Sequence, residues 1–93
     1  MAYNQKKNEV TEVLTDVTKN NRGDVVRLSK ITSDGDVSYD IRNMFVAESG
    51  ELQFTTKGVR LKESDMAAVI IEVMKSLDTD TYNSIIDGIS QTE

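Results

Sequence analysis

The chain of 93 residues contains neither cysteine nor histidine, has no tryptophan, and is only 5% aromatic. Without cysteine there is no disulfide framework, no thiolate zinc site and no sulfur nucleophile. Without histidine there is no imidazole base, which also excludes a Ser-His-Asp triad. Long hydrophobic runs are missing too: Met66 to Ile71 is the longest, far short of the roughly 20 residues that cross a bilayer. The opening Met1-Ala-Tyr-Asn-Gln-Lys-Lys lacks the apolar segment of a signal peptide. Together these absences predict a cytoplasmic protein with no membrane association and no catalytic outfit.

What is present suits one modest domain. With 38% hydrophobic and 29% charged residues, the chain resembles ordinary soluble proteins and not disordered ones. At this length, folding alone buries roughly two-thirds of the extended-chain surface at best. The formal net charge is −5, which by itself argues against a nucleic-acid binder, since phosphate is held by Lys and Arg. Its distribution is uneven. Residues 1–18 carry −1, residues 19–62 carry +2, and residues 63–93 carry −6 with Lys75 as their one cation.

The first two-thirds reads as β-structure. Glu9 to Thr18 is rich in Val and Thr, and Val25 to Thr32 alternates, with Val26 and Leu28 on one face and Arg27 and Ile31 on the other. The cluster Lys19-Asn20-Asn21-Arg22-Gly23 is a loop. Asp34-Gly35 between two strand-like runs is a strong hairpin signal, because a type I′ turn needs positive φ at both central residues. Val37 to Val46 is the clearest strand, and Glu51 to Thr55 pairs back on it after Ser49-Gly50. Past Lys57-Gly58, Val59-Arg60-Leu61 leads into a helix carrying Met66, Ile70, Val73, Met74 and Leu77 at helical spacing. That helix is apolar most of the way round, so one side packs on the sheet and the other requires a second partner. Tyr82, Ile85, Ile86 and Ile89 form a shorter second helix, capped by Asp78 or Thr79 and weakened by Gly88. Residues 1–8 and 91–93 are expected to fray.

This order predicts an α+β fold: a four-stranded antiparallel sheet followed by a helix and a short extra C-terminal helix. Residues 9–77 form the domain and 78–93 a helical extension.

Chemistry is sparse. Asp34, Asp36 and Asp40 around the hairpin do not continue into a calcium loop, and Asp78, Asp80 and Asp87 lie in the tail. They read as turn-forming and solvated groups. Thr56-Lys57-Gly58 is not a phosphate-binding Walker loop, and the serines and threonines have no basic partner. No metal site, no cofactor and no enzymatic activity are expected. What remains is a set of cations interleaved with aromatics: Arg27, Lys30 and Arg42, with Tyr39, Phe45, Phe54 and Lys57. Such a sheet binds single-stranded nucleic acid when its rings are exposed. It is merely a solvated face over a core when they are buried, and composition and spacing alone favour that second reading.

The ordered stretch Gly35 to Leu77 shifts the balance. Tyr39-Asp40-Ile41-Arg42, then Ser49-Gly50-Glu51-Leu52, then Lys57-Gly58-Val59-Arg60-Leu61 opening a helix, resembles the C-terminal domain of the transcriptional coactivator positive cofactor four. It is closer still to that family's small bacterial and phage members. The resemblance implies a curved four-stranded antiparallel sheet, a helix-mediated homodimer, and single-stranded DNA bound with little sequence preference. Carried over position by position, Arg42 is the phosphate-contacting Arg of the Asp-Ile-Arg motif. Phe45 stands in for a stacking Trp, and Lys57 precedes the motif glycine. Arg27, Lys30, Phe54 and Arg60 complete the expected nucleic-acid set, and Met66, Ile70, Val73, Met74 and Leu77 the expected dimer interface. The host cytoplasm is the implied location for a phage-encoded member, and transcription or replication proteins are further partners that the resemblance allows.

There are departures from the family. Ser33, Asp34 and Asp36 stand where cations or an aromatic are usual, Gln53 replaces a Lys, and Lys62 replaces a capping Ser or Asn. Stacking contributes ~1–3 kcal/mol per base and each phosphate contact adds affinity. Binding about one to two orders of magnitude weaker than in more basic relatives is therefore expected. The alternative is a protein-interaction module that keeps the fold with little or no DNA affinity. An RNA-binding variant is a weaker third option, since stacking does not choose the sugar.

Overall fold

A computed structural model describes residues 8–91. Four strands run β1 Glu9–Thr18, β2 Val25–Ser33, β3 Asp36–Val46 and β4 Leu52–Lys62, followed by helices α1 Glu63–Ser76 and α2 Thr79–Ser90. The strands form one antiparallel meander in the order β1-β2-β3-β4. This is the α+β arrangement read from the sequence, with one difference. The run Leu52–Lys62 is a single eleven-residue strand, not a short strand followed by a lead-in to the helix.

The turn chemistry explains the meander. Asp34 and Gly35 both hold positive φ, 52° and 89°, as a tight hairpin between twisted strands demands. The longer β1–β2 loop is organised by Asp24, whose side chain is nearly buried. One carboxylate oxygen accepts from the Val46 backbone N–H at 3.0 Å. The other accepts from Asn20 at 3.0 Å and from the Arg22 guanidinium at 2.7 Å. This single side chain ties the loop to the end of β3. The three donors hold its carboxyl well below the usual carboxylate range, with Asn20 contributing most. A depressed folded-state pKa gives stability that is present above the ordinary carboxylate value and lost as pH falls through the folded one. Asp24→Asn is therefore expected to lower Tm at neutral pH and flatten the acid limb of a Tm-versus-pH curve. An unchanged acid limb would count against this role.

Strand alternation separates the residues onto two faces. Leu28 and Tyr39 lie under α1, where they line an apolar concavity of about 340 Å³ with Met66, Ala67 and Ile70. Arg27, Ser29 and Ile31 on β2, with Asp40, Arg42 and Met44 on β3, are at the intervening positions and lie on the opposite face. The chain enters α1 directly from β4: Lys62 is the N-cap and makes no side-chain capping bond, as its chemistry predicts. Asp78 caps α2 by accepting from the Thr81 N–H at 2.8 Å, which lowers its pKa. The expected fraying at residues 1–7 and 92–93 lies outside the described residues. At the described ends, Asn8 donates to Asp34 at 3.1 Å and the Gln91 N–H closes α2 on Asp87.

Burial is thin. Among the described residues the buried apolar side chains are Val25, Ile31, Met44 and Met66. Met66 is the buried residue of α1, and α2 has none. Val69, Ile70, Ile71 and Val73 are about half exposed, between 47% and 57%. Met66 thus belongs to the protomer's own core, while Met74 and Leu77 are intermediate. Among the described residues, no helix is long and apolar enough to cross a membrane.

Candidate nucleic-acid interface

On the face away from α1 lies an open concavity of about 440 Å³, lined by Arg27, Arg42, Arg60, Phe54, Asp40 and several smaller side chains. Four of the seven nucleic-acid residues expected from the sequence therefore meet here. Arg27 and Arg42 are register partners on β2 and β3, and Arg60 faces Asp40 from β4. Phe54 is 74% exposed and available for stacking.

The other three are placed differently. Lys30 pairs with Tyr39 across β2 and β3 and shares the face of α1. Phe45 pairs with Gln53, also on that side, and is 45% exposed. Lys57 sits where β4 carries extra residues: Arg42 opposes Gly58 and Met44 opposes Phe54, leaving Thr55, Thr56 and Lys57 opposite Asn43 alone. Thr55 pins this bulge, donating through its hydroxyl to the Asn43 carbonyl at 2.7 Å and accepting from the Lys57 N–H at 3.1 Å. Two extra residues restore the alternation, so Phe54 returns to the arginine face.

Gly58 makes the arrangement possible. An added Cβ there would lie 2.6 Å from the Ile41 carbonyl oxygen and 2.9 Å from both Arg42 Cα and Cζ. The Arg42 guanidinium lies over this glycine and donates to the Thr55 carbonyl at 3.2 Å.

Sequence reasoning missed the acids. Arg42 makes a two-pronged bridge to Asp40, Nε to Oδ2 at 3.0 Å and Nη2 to Oδ1 at 2.7 Å. Arg60 stands 3.7 Å from Asp40 and 3.8 Å from Glu9. Arg27 forks onto Asp16 at 2.8 and 3.0 Å. These hydrogen bonds hold the Arg27 and Arg42 guanidiniums still more firmly protonated and lower the Asp16 carboxyl. Three guanidiniums thus face three carboxylates, and the local charge sums to zero. Asp40, read from the sequence as a solvated turn group, is instead buried, and its pairing with Arg42 is one that alternation could have revealed, because residues two apart on a strand share a face. The Asp16–Arg27 pair depends on cross-strand register, which no local pattern supplies.

No family model, curated protein or solved structure matches the chain. The functional reading therefore rests on the residues themselves and on the motif resemblance. Among the described residues, no group of three or more acidic side chains is placed to hold a metal ion.

Proposed function

We propose that this chain is a non-catalytic, cytoplasmic, homodimeric protein that binds single-stranded DNA with little sequence preference, acting in transcription regulation or in replication and recombination. The observation that carries this reading is the helix-free face, where Arg27, Arg42 and Arg60 line one concavity with an exposed Phe54. Guanidiniums follow phosphates and exposed rings stack on bases, a combination indifferent to sequence. The homodimer is supported by the half-exposed apolar side chains Val69, Ile70, Ile71 and Val73 on α1. A second copy of the same helix would cover them.

Polarisation titration with labelled oligo-dT at about 50 mM salt tests the proposal. Arg42→Ala is expected to weaken binding about fivefold to twentyfold, removing one phosphate contact and the clamp on the β4 bulge. Lys57→Ala is expected to weaken it severalfold. Unchanged affinity in both variants would sink the site assignment.

The paired acids favour a second reading, a protein-interaction module without DNA affinity. A face with three cations and three carboxylates suits a polar protein partner as well as a polyanion. Absence of oligo-dT binding at micromolar protein would select it.

A further inference from the structure

We propose that Asp16 is a built-in competitor for phosphate at Arg27, keeping the affinity of this face for single-stranded DNA below what its cations alone would give. The inference rests on the DNA-binding reading above. It begins with a register shift. Val13 opposes Ser29, but Thr15 opposes Leu28, so Leu14 is an extra residue in β1. Were the Val13–Ser29 register to continue without this shift, Leu14 would oppose Leu28, Thr15 would oppose Arg27, and Asp16 would turn toward the α1 face, opposite Val26. With it, Asp16 opposes Arg27 on the arginine face. The bulge thus delivers a carboxylate to a position that strand alternation would deny it.

The geometry is that of a phosphate mimic. Arg27 Nε and Nη2 reach the two Asp16 carboxylate oxygens at 2.8 and 3.0 Å, occupying the same fork that takes two phosphate oxygens. Asp16 is accessible, with 32% of its side chain exposed on an edge strand, so a strand of DNA can displace it. Asp40 on the same face differs. Its side chain is 9% exposed and lies against both Arg42 and Arg60, which makes it part of the frame. Arg42 is the register partner of Arg27. Removing the Asp16 charge therefore takes from Arg27 the carboxylate it forks onto, beside an Arg42 that keeps its own in Asp40, and the incoming phosphate relieves that imbalance. Glu12, on the opposite face of the same strand and paired with Lys30, provides the matched control for a change in net charge.

The test is oligo-dT polarisation with the full chain across a salt series. Asp16→Asn is expected to bind about threefold to tenfold more tightly than wild type at low salt. Its log–log salt slope should steepen by about 0.7, the value of one more phosphate neutralised on a single strand. Asp16→Ser, with a smaller neutral side chain, is expected to show the same gain. Glu12→Gln should stay within about twofold of wild type, a change smaller than one ion pair is worth, and Arg27→Ala combined with Asp16→Asn should lose the gain. Wild type that binds while both Asp16 variants bind no tighter overturns the inference and leaves the DNA-binding reading intact. An equal gain from Glu12→Gln overturns it as well, since net charge would then be the cause. Binding by none of the proteins overturns the underlying reading and this inference with it.

Discussion

Alanine at position 58 is expected to destabilise the protein by about 2 kcal/mol or more, placing it among the most damaging single-methyl additions in the chain. The new Cβ would sit 2.6 Å from a carbonyl oxygen and 2.9 Å from a Cα of β3. Both contacts are with backbone, which cannot swing aside as a long side chain can. The strands must part or the bulge must shift, and either movement carries Arg42 with it. Lower Tm and weaker oligo-dT binding should therefore appear together in Gly58→Ala. A variant with wild-type Tm would show that β4 has slack at this point. Valine should be worse than alanine, because its branched side chain adds volume at the same contact.

An aspartate in place of Val73 is expected to turn dimer into monomer, raising the dimer dissociation constant at least about a hundredfold. Val73 is 50% exposed on α1. In the proposed homodimer each such substitution places an unpaired carboxylate in an apolar contact, twice per dimer, at a cost of several kcal/mol. Ile70→Asp should act in the same direction but also disturb the protomer, since Ile70 lines the concavity beneath α1. Sedimentation equilibrium distinguishes the outcomes. Wild type that sediments as a monomer at tens of micromolar removes the dimer from the account. The protomer's thin burial makes that result hard to reconcile with a stable fold.

Much of this architecture was legible because it is local. Asp34-Gly35 announced its hairpin, Val37 to Val46 its strand, and the spacing of Met66, Ile70, Val73 and Leu77 its helix. The cap of α2 was narrowed to Asp78 or Thr79 by local chemistry, and it is Asp78 that accepts from the Thr81 N–H. The site was legible only in part. Alternation correctly grouped Arg27 with Ile31 and away from Val26 and Leu28, but the face of Phe45 relative to Arg42 follows from counting along the strand, and it separates them. Lys30 is separated from Arg27 by the same parity. Asp16 was invisible, because its position opposite Arg27 is created by a one-residue bulge and by pairing across 11 residues of sequence. Asp24 was equally hidden, since its Val46 partner lies 22 residues away. Register and bulges carry the information that a window along the chain does not hold.

The net charge of −5 becomes less of an objection once it is placed in three dimensions. Residues 63–93 carry −6, more than the whole of it, and α1, where they begin, covers the face away from Arg27, Arg42 and Arg60. What bears on DNA is the local balance, in which each of the three arginines faces a carboxylate. Such a face should bind weakly and respond sharply to salt and to the removal of single acids.

Whether this face binds single-stranded DNA is decided by polarisation of labelled oligo-dT with the wild-type chain, from about 50 to about 200 mM salt. Micromolar or tighter binding is expected at the low end, falling roughly sevenfold to twentyfold across the series. That decline corresponds to about two or three phosphate contacts at 0.7 in slope for each. No binding at micromolar protein in the lowest salt, or binding that salt leaves unchanged, would contradict it.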